Sequence, residues 1–196
     1  MTLGGTLNTD TSWGGTALGQ HLNTETYLAS ALGATANTET YPPTDTFLDP
    51  NADVNVNWTK SAGSTGWELL DDAVRQPTAP TTGTDRCTTT TSGQVCEVGF
   101  DTVTKEGTIT KVTAWWHGAN SHATRATVRF SIYEGGVERA YTVITATGEA
   151  WHSLDWTADL TQAQLDGISV RLTYNETGST NNLATANEIY IEIVYA

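Results

Sequence analysis

The chain has 196 residues, with 22 acidic and 9 basic side chains and a formal net charge of −13. Binding to nucleic acid or to an anionic membrane needs a basic surface, so the charge argues against both as partners. Hydrophobic residues make up 38% of the chain, which suffices for one domain of ordinary size and an appendage.

The amino terminus shows no sign of a targeting segment. The stretch MTLGGTLNTD has neither a basic nor an apolar run, so the sequence predicts no secretory signal. No apolar run approaches the ~18 residues that a membrane-spanning helix needs. We therefore expect synthesis in the cytoplasm, with release from the cell only by lysis or as part of a particle.

Residues 1–50 contain a repeated unit of 14 to 15 residues. LGQHLNTETY and LGATANTETY are close copies, and LGGTLNTDTS is a looser third copy. The unit has too few large apolar side chains to bury a core of its own. Leucine and tyrosine nevertheless recur at fixed places, which predicts an extended arm that docks on equivalent grooves of other copies. The predicted anchors are Leu3, Leu18, Tyr27, Leu32 and Tyr41. A flexible linker and a stack of repeats on one another are the alternatives.

Residues 51–93 are predicted to connect this arm to the main domain. DVNVNW alternates weakly and predicts one strand, GWELLDDAV predicts a short helix, and QPTAPTTGTD has the prolines of a turn or linker. Cys87 and Cys96 flank a Ser-Gly turn, which would place them opposite each other in a hairpin. A disulfide there would contribute ~2–3 kcal/mol, and two unpaired thiols are the alternative.

Residues 94–196 alternate apolar and polar side chains in several runs. The clearest are ITKVTAWW, ATVRFSIY, ISVRLTY and EIYIEIVY, and the glycine pair at 135–136 predicts a turn before VERAYTVITA. LTQAQLDG predicts one helical turn that begins after Thr161 and ends at Gly167. Strands with one apolar face and frequent turns predict an all-β, antiparallel, jelly-roll-like sandwich of about eight strands.

The sequence has no recognisable catalytic motif. G-x-S-x-G, P-loop and H-E-x-x-H patterns are absent, and Asp71 and Asp72 are adjacent, which makes them a poor acid–base pair. We therefore predict a non-enzymatic protein without catalytic residues.

Two sequence features raise the question of a metal. The loop histidines in HGANSH would form a metal site only together with His152, and loop histidines usually form ordinary polar surface. DPNADVN spaces oxygen ligands like the start of a calcium loop, yet Lys60 stands where the bidentate glutamate belongs. We therefore predict neither a metal site nor a cofactor.

Tryptophan is the strongest candidate for ligand binding. Adjacent Trp115 and Trp116 must point to opposite faces of their strand, and Trp151 lies on another predicted strand. An outward tryptophan close to Tyr133 or Tyr190 would stack on a sugar ring. Trp115, Trp116 and Trp151 are therefore candidate glycan-stacking residues.

Four stretches between about residue 55 and residue 196 form a further pattern: NWTKSAGSTGWELLDDAVRQPTAP, VGFDTVTKEGTITKVTAWWHGA, LTQAQLDGISVRLTY and EIYIEIVYA. The residues that matter in it are Trp58, Trp67, Asp71, Pro77, Phe100, Leu165, Asp166 and Gly167. Through these residues the region resembles tailed-bacteriophage virion structural proteins with a C-terminal jelly roll. The resemblance implies a structural part of a virion and transfers no catalytic residue.

This resemblance and the arm together predict a capsid decoration or cement protein on the particle exterior. Its expected partners are other copies of itself, with a trimer as one form, and the major capsid protein or other virion proteins. A carbohydrate-binding or adhesion module of a tail or fibre is one alternative. A self-polymerising filament or tube subunit is the other.

Overall fold

A computed structural model describes residues 46–62, 65–71, 75–80, 85–145, 147–177 and 182–196. The chain divides into two units, Met1–Tyr41 and Pro42–Ala196, and the fold below belongs to the second. The repeated arm and its predicted anchors, from Leu3 to Tyr41, lie outside the described residues. The docking role of the arm therefore stays a prediction.

The second unit is built almost entirely from strands. The elements are β1 (Thr46–Leu48), β2 (Pro50–Val56), β3 (Thr59–Lys60), a 3-10 turn (Trp67–Leu69), β4 (Cys87–Thr89), β5 (Val95–Phe100), β6 (Ile109–Asn120), β7 (Ala126–Glu134), β8 (Val137–Ile144), β9 (Ala150–Trp156), α1 (Gln162–Leu165), β10 (Ile168–Glu176) and β11 (Ala184–Tyr195). No helix within the described ranges is long and apolar enough to cross a membrane.

Two antiparallel sheets form a jelly-roll-like sandwich, which confirms the predicted fold class. Sheet A has the order β3-β4-β11-β6-β9, and β1 also pairs with β11. Sheet B has the order β2-β5-β10-β7-β8. Strands distant in sequence are neighbours in both sheets, so most of the stabilising contacts connect separate parts of the chain.

The apolar positions of the alternating strands point between the sheets and form one core. The largest fully buried side chains include Trp116 from β6, Phe130 and Ile132 from β7, Leu172 and Tyr174 from β10, and Ile189, Ile191 and Ile193 from β11. Alternate residues of the same strands therefore form the two outer faces, because successive side chains of a strand point to opposite sides.

The predicted turn and helix are both present. Gly135 and Gly136 join β7 to β8 with φ angles of 56° and 82°, a conformation that other residues rarely adopt. Thr161 caps α1: its side chain accepts the Gln164 N–H, and the Gln164 side chain bonds back to the Thr161 backbone.

The segment predicted as a connection contributes to the sandwich itself. Three of its strands lie in this segment, namely β2, β3 and β4. They are too short or too polar for an alternating pattern to predict them fully. The helix predicted over 66–74 is a 3-10 turn at 67–69, and residues 72–74 lie outside the described part. This turn is held by the Asp53 carboxylate, which accepts the Gly66 and Trp67 N–H groups at 2.8 and 2.7 Å.

Cys87 and Cys96 are both buried, but not in a hairpin. Cys87 lies on β4 in sheet A and Cys96 on β5 in sheet B, and these strands pair with other partners. Both cysteines are free thiols in this structure. Hydrogen bonding with Cys87 and burial raise the pKa of Cys96 well above its usual value. The disulfide between them stays a prediction.

Candidate functional site

The outer face of sheet A brings together two of the three predicted stacking tryptophans. Trp115 and Tyr190 are paired across β6 and β11 and point away from the core. Trp151 reaches the same face from β9, where it is paired with His117. Because side chains alternate along β6, Trp116 points into the core and has no exposed surface. The prediction that Trp116 stacks on a glycan is therefore wrong, because no ligand can reach its ring.

Four aromatic rings form a continuous cluster on this face, here called the aromatic platform: Phe47, Trp115, Trp151 and Tyr190. Trp115 stacks on Tyr190 with ring centroids 5.9 Å apart and an interplanar angle of 18°. Trp151 and Phe47 meet the Tyr190 ring edge-on, at 5.4 and 6.1 Å. Tyr190 is thus the buried centre of the platform, while the other three rings are partly exposed.

Hydrogen bonds fix the orientation of both platform indoles. The Trp115 Nε1–H donates to Glu192 at 3.1 Å, and the Trp151 Nε1–H donates to the carbonyl oxygen of Thr78 at 2.9 Å. A half-buried indole with its N–H bonded offers its apolar ring surface in one orientation. The rings are therefore preorganised, which reduces the conformational entropy lost when a ligand stacks on them.

Residues 75–80 cover one side of the platform. The Arg75 guanidinium carbon lies 4.4 Å from the centroid of the Tyr190 ring, and its nitrogens pair with Asp49 at 2.5 Å and with Glu188 at 3.8 Å. The Gln76 N–H donates to the Tyr190 hydroxyl at 3.3 Å. Burial raises the pKa of Tyr190, so its hydroxyl stays protonated near neutral pH.

The other side of the platform is open. Tyr190 covers one face of the Trp115 ring, and on the opposite side β9 presents Ser153, which is small and exposed. The Trp115 ring keeps part of its surface exposed, and its neighbour on β9 is too small to cover it. Asp155 is the next residue of β9 on the same face and is also exposed. Its carboxylate accepts the Thr113 hydroxyl at 2.8 Å. An apolar ring surface thus borders two polar groups.

The histidines considered for a metal do not form one site. His117 lies on the outer face, where it contacts Trp151 at 5.1 Å between ring centroids, and His152 packs on the core-facing Trp116 at 4.8 Å. Burial lowers the pKa of both histidines. In the described ranges, no group of three or more His, Cys, Asp or Glu side chains is arranged to hold a metal ion.

The calcium-like stretch is instead part of strand β2. Asp53, one of its alternating oxygen residues, pairs with Lys60 at 3.1 Å and accepts two backbone N–H groups. Hydrogen bonds from those amides and from Lys60 lower the pKa of Asp53, although burial opposes them as the largest single effect. The charge of Asp53 is therefore used to hold the 3-10 turn.

Sequence reasoning missed Phe47 and Arg75 as parts of this face. Phe47 falls within the predicted arm of residues 1–50, but it belongs to β1, a strand of three residues that is too short for its alternation to be recognised. Arg75 is separated by more than 100 residues from Tyr190 and Glu188, so no local pattern indicates their contact.

No family model and no curated protein sequence matches this chain. Solved structures with a similar fold include the CBM36-1 domain of a multidomain xylanase from the hindgut metagenome of Trinervitermes trinervoides, at 10% identity and a TM-score of 0.40, covering 78% of this chain and 98% of that one. A carbohydrate-binding module, CBM36, in complex with calcium and xylotriose matches at 13% identity and 0.37, over 78% and 100%.

A different kind of protein appears at the same level of similarity. The Stig cyclase Fisc from Fischerella sp. TAU matches at 14% identity with a TM-score of 0.42, covering 78% of this chain and 100% of that one. Likeness this distant concerns the fold alone. It gives no support to a virion origin, and the jelly-roll-like part of the resemblance rests on the two-sheet topology described above.

Proposed function

We propose that this domain binds neutral carbohydrate chains, without chemical change, on the aromatic platform. The observation that carries the proposal is the partly exposed Trp115 ring, which stacks on Tyr190 and is paired across β6 and β9 with the small, exposed Ser153. A pyranose ring has apolar C–H faces and hydroxyl groups around its edge. It can stack on the indole while its hydroxyls bond to polar groups beside it.

The polar groups beside the platform suit hydroxyl groups better than anions. Ser153 donates and accepts, and the carboxylates of Asp155 and Glu192 accept hydrogen bonds from sugar hydroxyls. The same carboxylates and the net charge of −13 repel carboxylated or sulfated chains. We therefore expect uncharged polysaccharides as ligands.

Three contacts of the carboxylates beside the platform support binding rather than hydrolysis. Hydrolysis of a glycosidic bond needs a proton donor and an opposed carboxylate on either side of the bond. Here the Glu192 carboxylate accepts the Trp115 indole N–H, and the Asp155 carboxylate accepts the Thr113 hydroxyl and pairs with Lys111 at 3.6 Å. Both carboxylates thus orient or hold their neighbours on one face of the sheet.

The test is calorimetric titration with neutral hexaoses of β-1,4-linked glucose, xylose and mannose. At least one hexaose is expected to bind, and Trp115→Ala and Trp151→Ala are each expected to weaken it tenfold or more, equivalent to about 1.4 kcal/mol. Tyr141→Ala is the matched control, because Tyr141 is an aromatic residue with 55% exposure on sheet B. Absence of binding to all three hexaoses, or equal weakening by Tyr141→Ala, overturns the proposal.

A further inference from the structure

The outer face of sheet B contains a groove of about 320 Å³. It lies where β2, β5 and β10 approach the turn between β7 and β8. Three of its lining residues are glycines, Gly99, Gly136 and Gly167, and their missing side chains keep the space open. A Cβ on Gly99, for example, would come within 3.4 Å of the Val54 side chain. The volume is at the lower end of the range of small-molecule sites, ~300–1,000 Å³.

Arg171 forms one wall of the groove and is held between Glu97 and Tyr133; it is here called the clamped arginine. The side chain of Glu97 is 4% exposed, and its carboxylate accepts hydrogen bonds from the Ser169 hydroxyl at 2.6 Å and from the Arg171 Nε at 2.9 Å. The Arg171 guanidinium also lies 3.8 Å above the centroid of the Tyr133 ring. An arginine held by a buried carboxylate and an aromatic face loses little further freedom when it binds a ligand.

The clamped arginine and a carboxylate that also lines the groove retain hydrogen-bonding capacity. Glu97 engages Nε and Nη2 of Arg171, and Nη1 has no partner among the described residues. Asp166, which also lines the groove, accepts the Gln162 side-chain amide at 2.7 Å through Oδ1 only. The groove therefore presents N–H donors from Arg171 and a carboxylate acceptor from Asp166, with the exposed Val54 as an apolar neighbour.

The charges of the groove select among ligands. Glu97 balances Arg171, and Asp166 leaves the lining with one further negative charge, which disfavours anions. Hydroxyl groups both donate and accept, so a neutral ring with several hydroxyls offers partners to Arg171 and to Asp166. We infer that the groove is a second carbohydrate site, in which Arg171 donates to one sugar hydroxyl, Asp166 accepts from another and Val54 contacts the C–H face.

The position of the groove gives the two sites a joint consequence. The platform lies on the outside of sheet A and the groove on the outside of sheet B, so one ligand chain cannot fill both by a short path. If the proposed function of the platform also holds, one domain bridges two carbohydrate chains. Such bridging increases the overall avidity for a polysaccharide network without any further contact.

The two sites are separable by calorimetry with the same three hexaoses and the full chain. The wild type is expected to bind two molecules of a recognised hexaose. Val54→Arg places a long charged side chain in the groove from a residue that is 56% exposed, and it is expected to leave only one site. Asp166→Ala is expected to weaken the same site at least fivefold. Val143→Arg is the matched control, since Val143 is 49% exposed on the same sheet outside the groove lining.

Each result assigns success or failure to one site. Binding of one hexaose that is lost in Trp115→Ala and unchanged in Val54→Arg and Asp166→Ala rejects the groove and supports the platform. Binding that is lost in Val54→Arg and unchanged in Trp115→Ala supports the groove and rejects the platform. Equal losses in Val54→Arg and Val143→Arg show a general effect of the added charge and also reject the groove.

Discussion

The two outer faces of the sandwich differ in how aromatic residues are packed. On sheet A, Trp115 and Trp151 pack around Tyr190 and keep part of their ring surfaces exposed. On sheet B, guanidinium groups cover the tyrosines: Arg129 lies 3.5 Å above the centroid of the Tyr141 ring, and Arg171 covers Tyr133. The first face is suited to stacking on a ligand. The second also offers hydrogen bonds, because guanidinium groups supported by rings form part of its surface.

The largest expected effect separates the two sides of strand β6. Trp116→Ala removes a fully buried ring that contacts Phe130 at 5.9 Å, and we expect a loss of about 3–5 kcal/mol in the free energy of unfolding. Trp115→Ala should cost about 1 kcal/mol, because its ring is partly exposed. Urea denaturation of both variants measures the difference, and equal losses contradict the assignment of faces.

The next effect tests the clamped arginine of sheet B. Arg171→Ala leaves the buried Glu97 carboxylate without its cation, so we expect a loss of about 3 kcal/mol in the free energy of unfolding. Arg129→Ala is the comparison, because the Arg129–Glu138 pair is 36% and 25% exposed and should contribute much less. Similar losses for the two variants in chemical denaturation would contradict the view that burial of Glu97 makes its pair with Arg171 the more important one.

A smaller effect concerns the loss of stability at acidic pH. Burial lowers the pKa of His117 and His152 in the folded state, while Glu149 opposes the shift for His117 and the Gly118 carbonyl opposes it for His152. The unfolded state therefore binds protons first as the pH falls below about 6.5. The contribution of the two neutral histidines to the free energy of unfolding is fully present above that pH. It is lost as the pH falls towards their pKa values in the folded state. Urea midpoints at several pH values between 7.5 and 5 measure this decrease.

A matched variant isolates the core histidine in that experiment. His152→Gln keeps a polar side chain beside the Gly118 carbonyl and cannot be protonated, so the decrease below pH 6.5 should be smaller. His122→Gln is the control, since His122 lies in a loop and shares no core contact with Trp116. An unchanged pH dependence in His152→Gln contradicts a contribution from its burial.

The smallest expected effect concerns the amino-terminal repeats. Deleting residues 1–41 should leave both the free energy of unfolding of the sandwich and its hexaose affinity unchanged. The predicted role of the arm is assembly, so self-association measured by analytical ultracentrifugation should be lost in the same variant. Identical self-association of the full and shortened chains contradicts that role. Capsid partners and a position on a particle exterior stay predictions from the sequence.

Long alternating strands made the second half of the sandwich predictable. β6, β7, β10 and β11 each have at least 9 residues, and their apolar positions predicted which side chains form the core. The same rule separated Trp115 from Trp116, although it could not say which of them points outward. Thr161 and the glycine pair at 135–136 predicted the helix start and the hairpin turn because their chemistry is local.

Short strands and long-range contacts were not predictable in this way. β1 and β4 have 3 residues each and β3 has 2, which is too few for an alternating pattern. The platform depends on Phe47, Arg75 and Tyr190, which only the fold brings together. The groove likewise combines residues from β2, β5 and β10, and glycines there contribute by having no side chain.

Carbohydrate binding by the aromatic platform is tested most directly by NMR of the indole N–H groups during titration with a recognised hexaose. The tryptophan signals, assigned by single substitutions, report each ring separately. We predict that the Trp115 and Trp151 signals shift in a saturable way and that the signal of the buried Trp116 changes least. Saturation by the hexaose with the Trp115 and Trp151 signals unmoved would contradict the account.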